Sequence, residues 1–451
     1  MWGVLVLQTN GRNAYGMPLN NTHTRWMTWI VVSALCILCV RASELVPSPR
    51  PTTLGVTAFV GARVYPSPTE PPIDDATVLV KDGRIVGVAP RVNLKIPKGA
   101  SIVRCDGLAI VSGLWNSHVH FVQRKWADVS TIPAPELTGQ LQDMLTHYGF
   151  TSVFDVGSKW ENTRQLRERI ESGEVAGPRI HTTGEIIYAK GGAPEQRILD
   201  VVGTMKLEFP EVSNAAEASA AAKKLLDEGV DGIKVYATSI GRPPAVLSEA
   251  EIAAAAHEAH IRGKLVFAHP HTREGLLNAV HGGADVIVHT IPNAGVLDDS
   301  MLVPMKQAGV SVIPTLKLWS YELRNDRTTQ REQFVASGVA QLRTWVASGG
   351  VVLFGTDVGY MDDYDTSEEF ALMSEAGMSF PQILASLTTA PAERFGESGR
   401  LGRIAPGFMA DMVVLDEDPS KDVRAFAAVR YTVRDGRLIY EAKTIRSLHL
   451  P

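Results

Sequence analysis

The chain has 451 residues, 45% hydrophobic and 21% charged, with 44 Lys and Arg against 49 Asp and Glu for a formal net charge of −5. That length exceeds one ordinary hydrophobic core and suits a barrel-sized domain with a smaller companion. The mildly acidic balance lacks the basic footprint of a nucleic-acid binder and leaves a small molecule or a peptide as the expected partner.

The first predicted element is a targeting segment. Arg25 precedes the apolar run "WMTWIVVSALCILCV" (26–40), and Val40-x-Ala42 fits small-residue cleavage, which reads as a signal peptide over 1–42. An initiation at Met17 would leave it a conventional basic start. The expected location is therefore periplasmic or secreted, with membrane attachment only if the segment stays uncleaved; the run falls short of the ~20 residues that span a bilayer comfortably. Cys36 and Cys39 lie inside it, so the exported chain keeps only Cys105, forms no internal disulfide, and depends on its cores. "PSPRP" (47–51) makes 43–54 a stiff linker.

Residues 55–112 read as strands, "GVTAFVGARVYP" followed by "ATVLVKDGRIVGVAP" with a hairpin at Asp82-Gly83. The C-terminal 400–445 repeats the style in "ADMVVLD" and "VRYTVRDGRLIY", with Asp435-Gly436 at the corresponding turn. The two ends are expected to join as one small composite β-sandwich domain.

Between them, over 113–399, apolar runs alternate with helical stretches. The runs are "LAIVSGLWNSHVH" (108), "TSVFDVG" (151), "RIHTTGEII" (179), "GIKVYA" (232), "KLVFAH" (264), "DVIVHT" (285), "SVIPTL" (311) and "VVLFGTD" (351). Ser213 is expected to cap a helix ending at Gly229, and Ser248 to cap the next one. Alternation of this kind, with strands apolar on both faces, predicts an α/β fold, a (β/α)8 TIM barrel.

Such a barrel carries its chemistry at the carboxyl ends of its strands. His118 and His120, two apart, share one face of an extended chain at the end of the first run. Lys234 lies in the fourth run, His269 ends the fifth, His289 the sixth and Asp357 the eighth. Each alone is ordinary: a strand-end histidine is usually a hydrogen-bonded surface residue, a rim lysine an ion-pair partner, an aspartate a helix cap. Together they suit metal ligation. "HEAH" (257–260) has its second histidine at i+3 where the zinc-helix motif needs i+4, so it belongs to a helix surface; His181 and His281 read as structural. Tyr236, on the face of Lys234, and Tyr188, Lys190, His271, Lys317 and Tyr360, near strand ends, are candidates to bind a substrate carboxylate or ring.

The segments "SGLWNSHVHF", "MLTHYGFTSVFDVGS", "GPRI", "VDGIKVYA", "AAHEAHIRGKLVFAHPHTREGLLNAVHGGADVIVHT", "VIPTL", "LFGTDVG" and "TTAPAERFG...LGRIAPGFMADMVVLDEDP" resemble the amidohydrolase superfamily, specifically its imidazolonepropionase-like group with bacterial Xaa-Pro dipeptidases (prolidases). The resemblance spans about 55–440. It departs in having Ser112-Gly113 for the usual Pro-Gly, and in the bulky Trp115, expected to reshape the pocket. It implies two divalent metal ions, one held by His118, His120 and Asp357 and the other by His269 and His289, with CO2-modified Lys234 bridging them as a carbamate. Zn²⁺ is the default, Mn²⁺ or Co²⁺ the alternatives. The implied reaction is hydrolysis of an amide C–N bond, in a dipeptide or N-acyl amino acid, by a metal-bridging hydroxide with Asp357 as proton shuttle. A lactonase, carbamate hydrolase or phosphotriesterase would use the same hydroxide. A noncatalytic scaffold of the superfamily would lack ligands, and a serine hydrolase would need a G-x-S-x-G turn that is absent. Oligomeric state, including a homo-oligomer, is left open.

Overall fold

The computed structural model describes residues 55–195, 199–200, 203–240, 243–326 and 328–443; the signal peptide and linker read at 1–54 lie outside the described residues. Alternating β-branched sequence forms β1 (Thr57–Val64), β2 (Ile73–Lys81), β3 (Arg84–Pro90), β4 (Ser101–Arg104) and β5 (Ala109–Ser112). The buried runs that follow form β6 (Leu114–Val119), β7 (Phe150–Asp155), β8 (Arg179–Thr182), β9 (Ile187–Ala189), β10 (Glu211–Val212), β11 (Gly232–Tyr236), β12 (Leu265–Ala268), β13 (Val286–Val288), β14 (Ser311–Ile313) and β15 (Val351–Val352). Near the C-terminus come β16 (Met412–Leu415), β17 (Val429–Arg434) and β18 (Arg437–Glu441).

Strands from both chain ends share one sheet of eight, in the order β18-β17-β16-β5-β1-β2-β3 with β4 also on β1. The join is β5 against β16, antiparallel from Ala109↔Leu415 to Ser112↔Met412. Both Asp-Gly pairs turn their hairpins with positive φ at each residue, which that two-residue turn requires. The strands expected to form the sandwich are joined edge to edge in this one sheet. The cause lies in β1, whose register shifts beyond Val60 let β4 pair with the first half and β5 with the second.

The middle of the chain is α/β, with two parallel sheets: β6-β7-β8, and β10-β9-β11-β12-β13-β14-β15. The run from 108 divides at Gly113, where a Cβ would lie 2.2 Å from Thr151 Oγ1 and 2.9 Å from Asp411 Cβ. Residues before it join the mixed sheet and those after it start the parallel one. The third run also divides, into β8 and β9: the parallel ladder runs on to Thr183 N on the Asp155 carbonyl (2.9 Å), and Gly184, with φ 65°, then turns the chain out of extended backbone.

Phe154, Val156, Phe267, Val286, Val288, Ile313 and Leu353 pack into one cluster between strands, each essentially out of solvent. Burying such a side chain is worth about 1.5–3 kcal/mol, so this cluster fixes how the strand ends above it converge. The helix at Ala215–Glu228 is capped by Asn214, whose side chain accepts the Glu217 N–H, and not by Ser213; Gly229 ends it as expected. Ser248 and Glu251 form a reciprocal capping box on the helix Glu249–His260. Arg179 staples the parallel strands to the mixed sheet: its guanidinium reaches Asp411 Oδ2 at 2.9 Å and Asp435 Oδ1 at 3.0 Å.

Candidate metal centre

The end of β6 presents His118 and His120 side by side, their Nε2 atoms 3.2 Å apart. Asp357 Oδ1 lies 3.3 Å from the first and 3.0 Å from the second. The sequence places Asp357 far from both, but its backbone N–H donates to the His118 carbonyl at 2.9 Å and the His120 N–H to the Val358 carbonyl at 2.9 Å. Asp357 has φ 65°, a conformation unusual for a side-chain-bearing residue and characteristic of functional sites. His118, His120 and Asp357 are buried, and one ligand atom from each lies within 4.8 Å of the others, the only such triplet of His, Cys, Asp or Glu among the described residues.

Hydrogen bonding decides which nitrogens face inward. His120 gives Nδ1–H to the Gly157 carbonyl at 2.8 Å, so a neutral ring presents a bare Nε2 lone pair to Asp357. Burial takes the His118 imidazole down to about 3 against the pull of Asp357, so that ring is neutral. Asp357 Oδ1 meets the His120 Nε2 with its own lone pairs at 3.0 Å. Electron pairs thus face each other at close range. A divalent cation converts that repulsion into ligation, and two imidazoles with a carboxylate are a fitting donor set.

A second set of groups adjoins the first. His289 has φ 69°, its Nδ1 lies 2.5 Å from Thr315 Oγ1, and its Nε2 stands 4.0 Å from Asp357 Oδ2. Its ring centroid is 4.7 Å from that of His118 and 4.3 Å from that of His269. Burial drives both His269 and His289 well below the ordinary imidazole range. Lys234 is 1% exposed in β11, and burial lowers its ammonium to about 7 against the attraction of Asp357 and Asp155. All six sequence-predicted ligands therefore belong to one neighbourhood, buried except for the half-buried His269, although only three meet the tight spacing.

The substrate candidates separate. Tyr236 stacks on His269 at 4.1 Å, its hydroxyl lies 2.9 Å from His271 Nε2, and that nitrogen is also 2.9 Å from His269 Nε2. Tyr188 stacks on the other face of this group, 4.8 Å from Tyr236. Lys317 instead spends its ammonium on the Asp363 carboxylate (2.8 Å) and the Asp365 carbonyl (2.5 Å). Tyr360 donates to Glu322 at 2.7 Å, and Lys190 is exposed. Trp115 does not shape the pocket as expected: it packs on His181 and Phe395 in an apolar cluster with Ala392 and Leu401.

Sequence reasoning missed Thr315 and the Gly157 carbonyl, which orient His289 and His120. Both lie in the quoted segments "VIPTL" and "SVFDVGS"; a hydroxyl and a Gly-containing turn beside strand-end ligands were the available signals.

Residues 109–439 match the amidohydrolase family. Among curated proteins, the ochratoxinase of Aspergillus niger is 21% identical over 423 residues, covering 85% of this chain and 86% of its own. A solved structure described as a prolidase from Bifidobacterium longum superposes with a TM-score of 0.72 at 25% identity, over 86% of this chain and 95% of that one. A Xaa-Pro dipeptidase structure with methionine bound in its active site gives 0.72 at 22%, over 86% and 100%.

Proposed function

The chain belongs to the amidohydrolase family, and from that premise we propose that it is a metal-dependent hydrolase cleaving the amide bond of a dipeptide or N-acyl amino acid. The observation that carries this reading is the buried triplet His118, His120 and Asp357 at converging strand ends. The names of the relatives, prolidase, Xaa-Pro dipeptidase and ochratoxinase, support the substrate class.

In this reading His118, His120 and Asp357 would hold one divalent ion, Zn²⁺ by donor preference, and His269 and His289 a second. Lys234 would join them as a carbamate; with its amine near 7, a sizeable neutral fraction is available to add CO2 at neutral pH. Bound divalent ions supply water activation and polarisation of the scissile carbonyl. The protein supplies the rest. Asp357 Oδ1 faces the two β6 imidazoles, which leaves Oδ2 to take the proton of the attacking water and return it to the departing nitrogen. Burial raises Tyr236 well above its ordinary range, so its hydroxyl stays protonated as a donor. With His271 beside it, Tyr236 is the preferred ligand for a substrate carboxylate.

Two further readings belong here. A closed (β/α)8 barrel is supported by backbone bonds across both seams between the parallel sheets, Ser117 N to the Phe354 carbonyl (2.7 Å) and Asp231 N to the Thr182 carbonyl (2.7 Å). Export is supported by the composition of residues 1–42.

Metal analysis combined with initial rates on dipeptides, N-acyl amino acids, lactones and phosphotriesters tests the function. The expected outcome is about two divalent ions per chain with turnover of the amides. Turnover confined to lactones, carbamates or phosphotriesters would reassign the reaction, and a purified protein unable to bind metal would remove it.

A further inference from the structure

Asp155 ends β7 fully buried, 0% exposed, with no arginine or lysine among the described residues in hydrogen-bonding contact. Its carboxylate is nevertheless saturated. Oδ1 accepts from Ser158 Oγ (2.6 Å) and the Gly157 N–H (3.4 Å), and Oδ2 from Thr182 Oγ1 (2.9 Å) and Thr163 Oγ1 (3.1 Å). Only an acceptor-only group can receive four donors at once. An amide of the same shape would turn one oxygen into a donor.

What the carboxylate shapes is the turn 155–158, which is tied to the end of β6 by the Val156 N–H on the Val119 carbonyl (3.1 Å) and by two further bonds. Ser158 Oγ accepts the Phe121 N–H at 2.8 Å, and the Gly157 carbonyl accepts Nδ1–H of His120 at 2.8 Å. Space there is tight, since a Cβ on Gly157 would lie 2.6 Å from Ile186 Cδ1 and 3.3 Å from His120 Cε1. The carbonyl therefore has one direction in which to point, and the His120 ring one tautomer that satisfies it.

We propose that Asp155 is a positioning residue for His120: by gathering Gly157, Ser158, Thr163 and Thr182 it aims the Gly157 carbonyl at Nδ1 and so fixes Nε2 as the bare nitrogen facing Asp357. The consequence for metal binding rests on the reading of His118, His120 and Asp357 as ligands; the consequence for the tautomer does not. Groups that orient a ligating histidine commonly change metal affinity by about 10- to 100-fold when removed.

The test is Asp155→Asn, read by ¹⁵N NMR of the histidine rings in metal-free protein and by zinc affinity in chelator competition. The parent should show His120 as a single Nδ1–H tautomer. The variant should show a tautomer mixture and about 10- to 100-fold weaker zinc binding, with kcat falling more than KM changes. A parental tautomer and parental affinity in the variant overturn the proposal. A parent that binds no zinc overturns the functional reading instead, and the tautomer still decides the role of Asp155. If Asp155→Asn does not fold, Ser158→Ala, which cuts the same turn from Phe121, is judged by the same two readouts.

Discussion

His289 and Thr315, at the ends of neighbouring parallel strands, both hold left-handed backbone, with φ of 69° and 42°, and Nδ1 of the first lies 2.5 Å from Oγ1 of the second. Two adjoining departures from extended backbone cost free energy unless the surroundings hold them. Here the surroundings include Glu369, whose carboxylate accepts the Leu316 and Lys317 N–H groups at 3.0 and 2.8 Å. The gain is an imidazole whose Nε2 is turned toward Asp357. Thr315→Val keeps the branched shape and removes the hydroxyl, so affinity for the second metal ion should fall about 10- to 100-fold, while Thr315→Ser should stay near the parent. Stepwise metal titration checks this, and equal affinities in Val and Ser variants would remove the orienting role.

In the proposed function Lys234 is the group that would distinguish a paired metal site from a single one. With its amine buried at 1% exposure, replacement by alanine should leave bound metal well below two per chain and abolish turnover. Elemental analysis with a rate measurement is sufficient. Full activity in Lys234→Ala would end the carbamate bridge.

The proposed ligands were legible in the sequence because the histidines and Asp357 stand at the ends of apolar runs and Lys234 lies within one, a pattern that strand geometry translates into side chains converging at one rim. The pairing of the chain ends was legible from matching Asp-Gly turns. The partners of Lys317 and Tyr360 were not legible for the opposite reason: Asp363 and Asp365 for one and Glu322 for the other lie 38 to 48 residues away, and no local spacing encodes such pairs. Trp115 shows a third case. Its neighbours His181, Ala392, Phe395 and Leu401 come from β8 and from residues 392–401, so whether it faced solvent, substrate or core depended on packing that only the fold supplies.

Glu369 gives a pH dependence of stability. Burial pushes its carboxyl up to about 7, from an ordinary 4.5, against the hydrogen bonds from Lys317 and Leu316. The folded state therefore holds the proton more tightly than the unfolded chain. Its contribution to stability is complete below about pH 4.5 and is lost as pH rises through 7, a change on the order of 3 kcal/mol. Urea unfolding at pH 5 and pH 8 should show the parent losing stability over this window, and Glu369→Gln losing less. An identical pH slope in both proteins would place the titration elsewhere.

The proposed function gives Asp357 two duties that one substitution can separate. Oδ1 lies 3.0 and 3.3 Å from the β6 imidazoles and Oδ2 faces His289 at 4.0 Å, so in that proposal ligation and proton transfer would use different oxygens of one carboxylate. Asparagine keeps a carbonyl oxygen of the same size, which still suits a cation beside His118 and His120, but its amide nitrogen cannot accept a proton. Asp357→Asn should therefore retain part of its metal and lose turnover by roughly 100-fold or more, the usual contribution of a positioned acid–base group. Metal content measured on the same sample as kcat separates the two duties. Parallel loss of metal and activity would make Asp357 a ligand alone, and a merely twofold fall in kcat would assign the proton shuttle to another group.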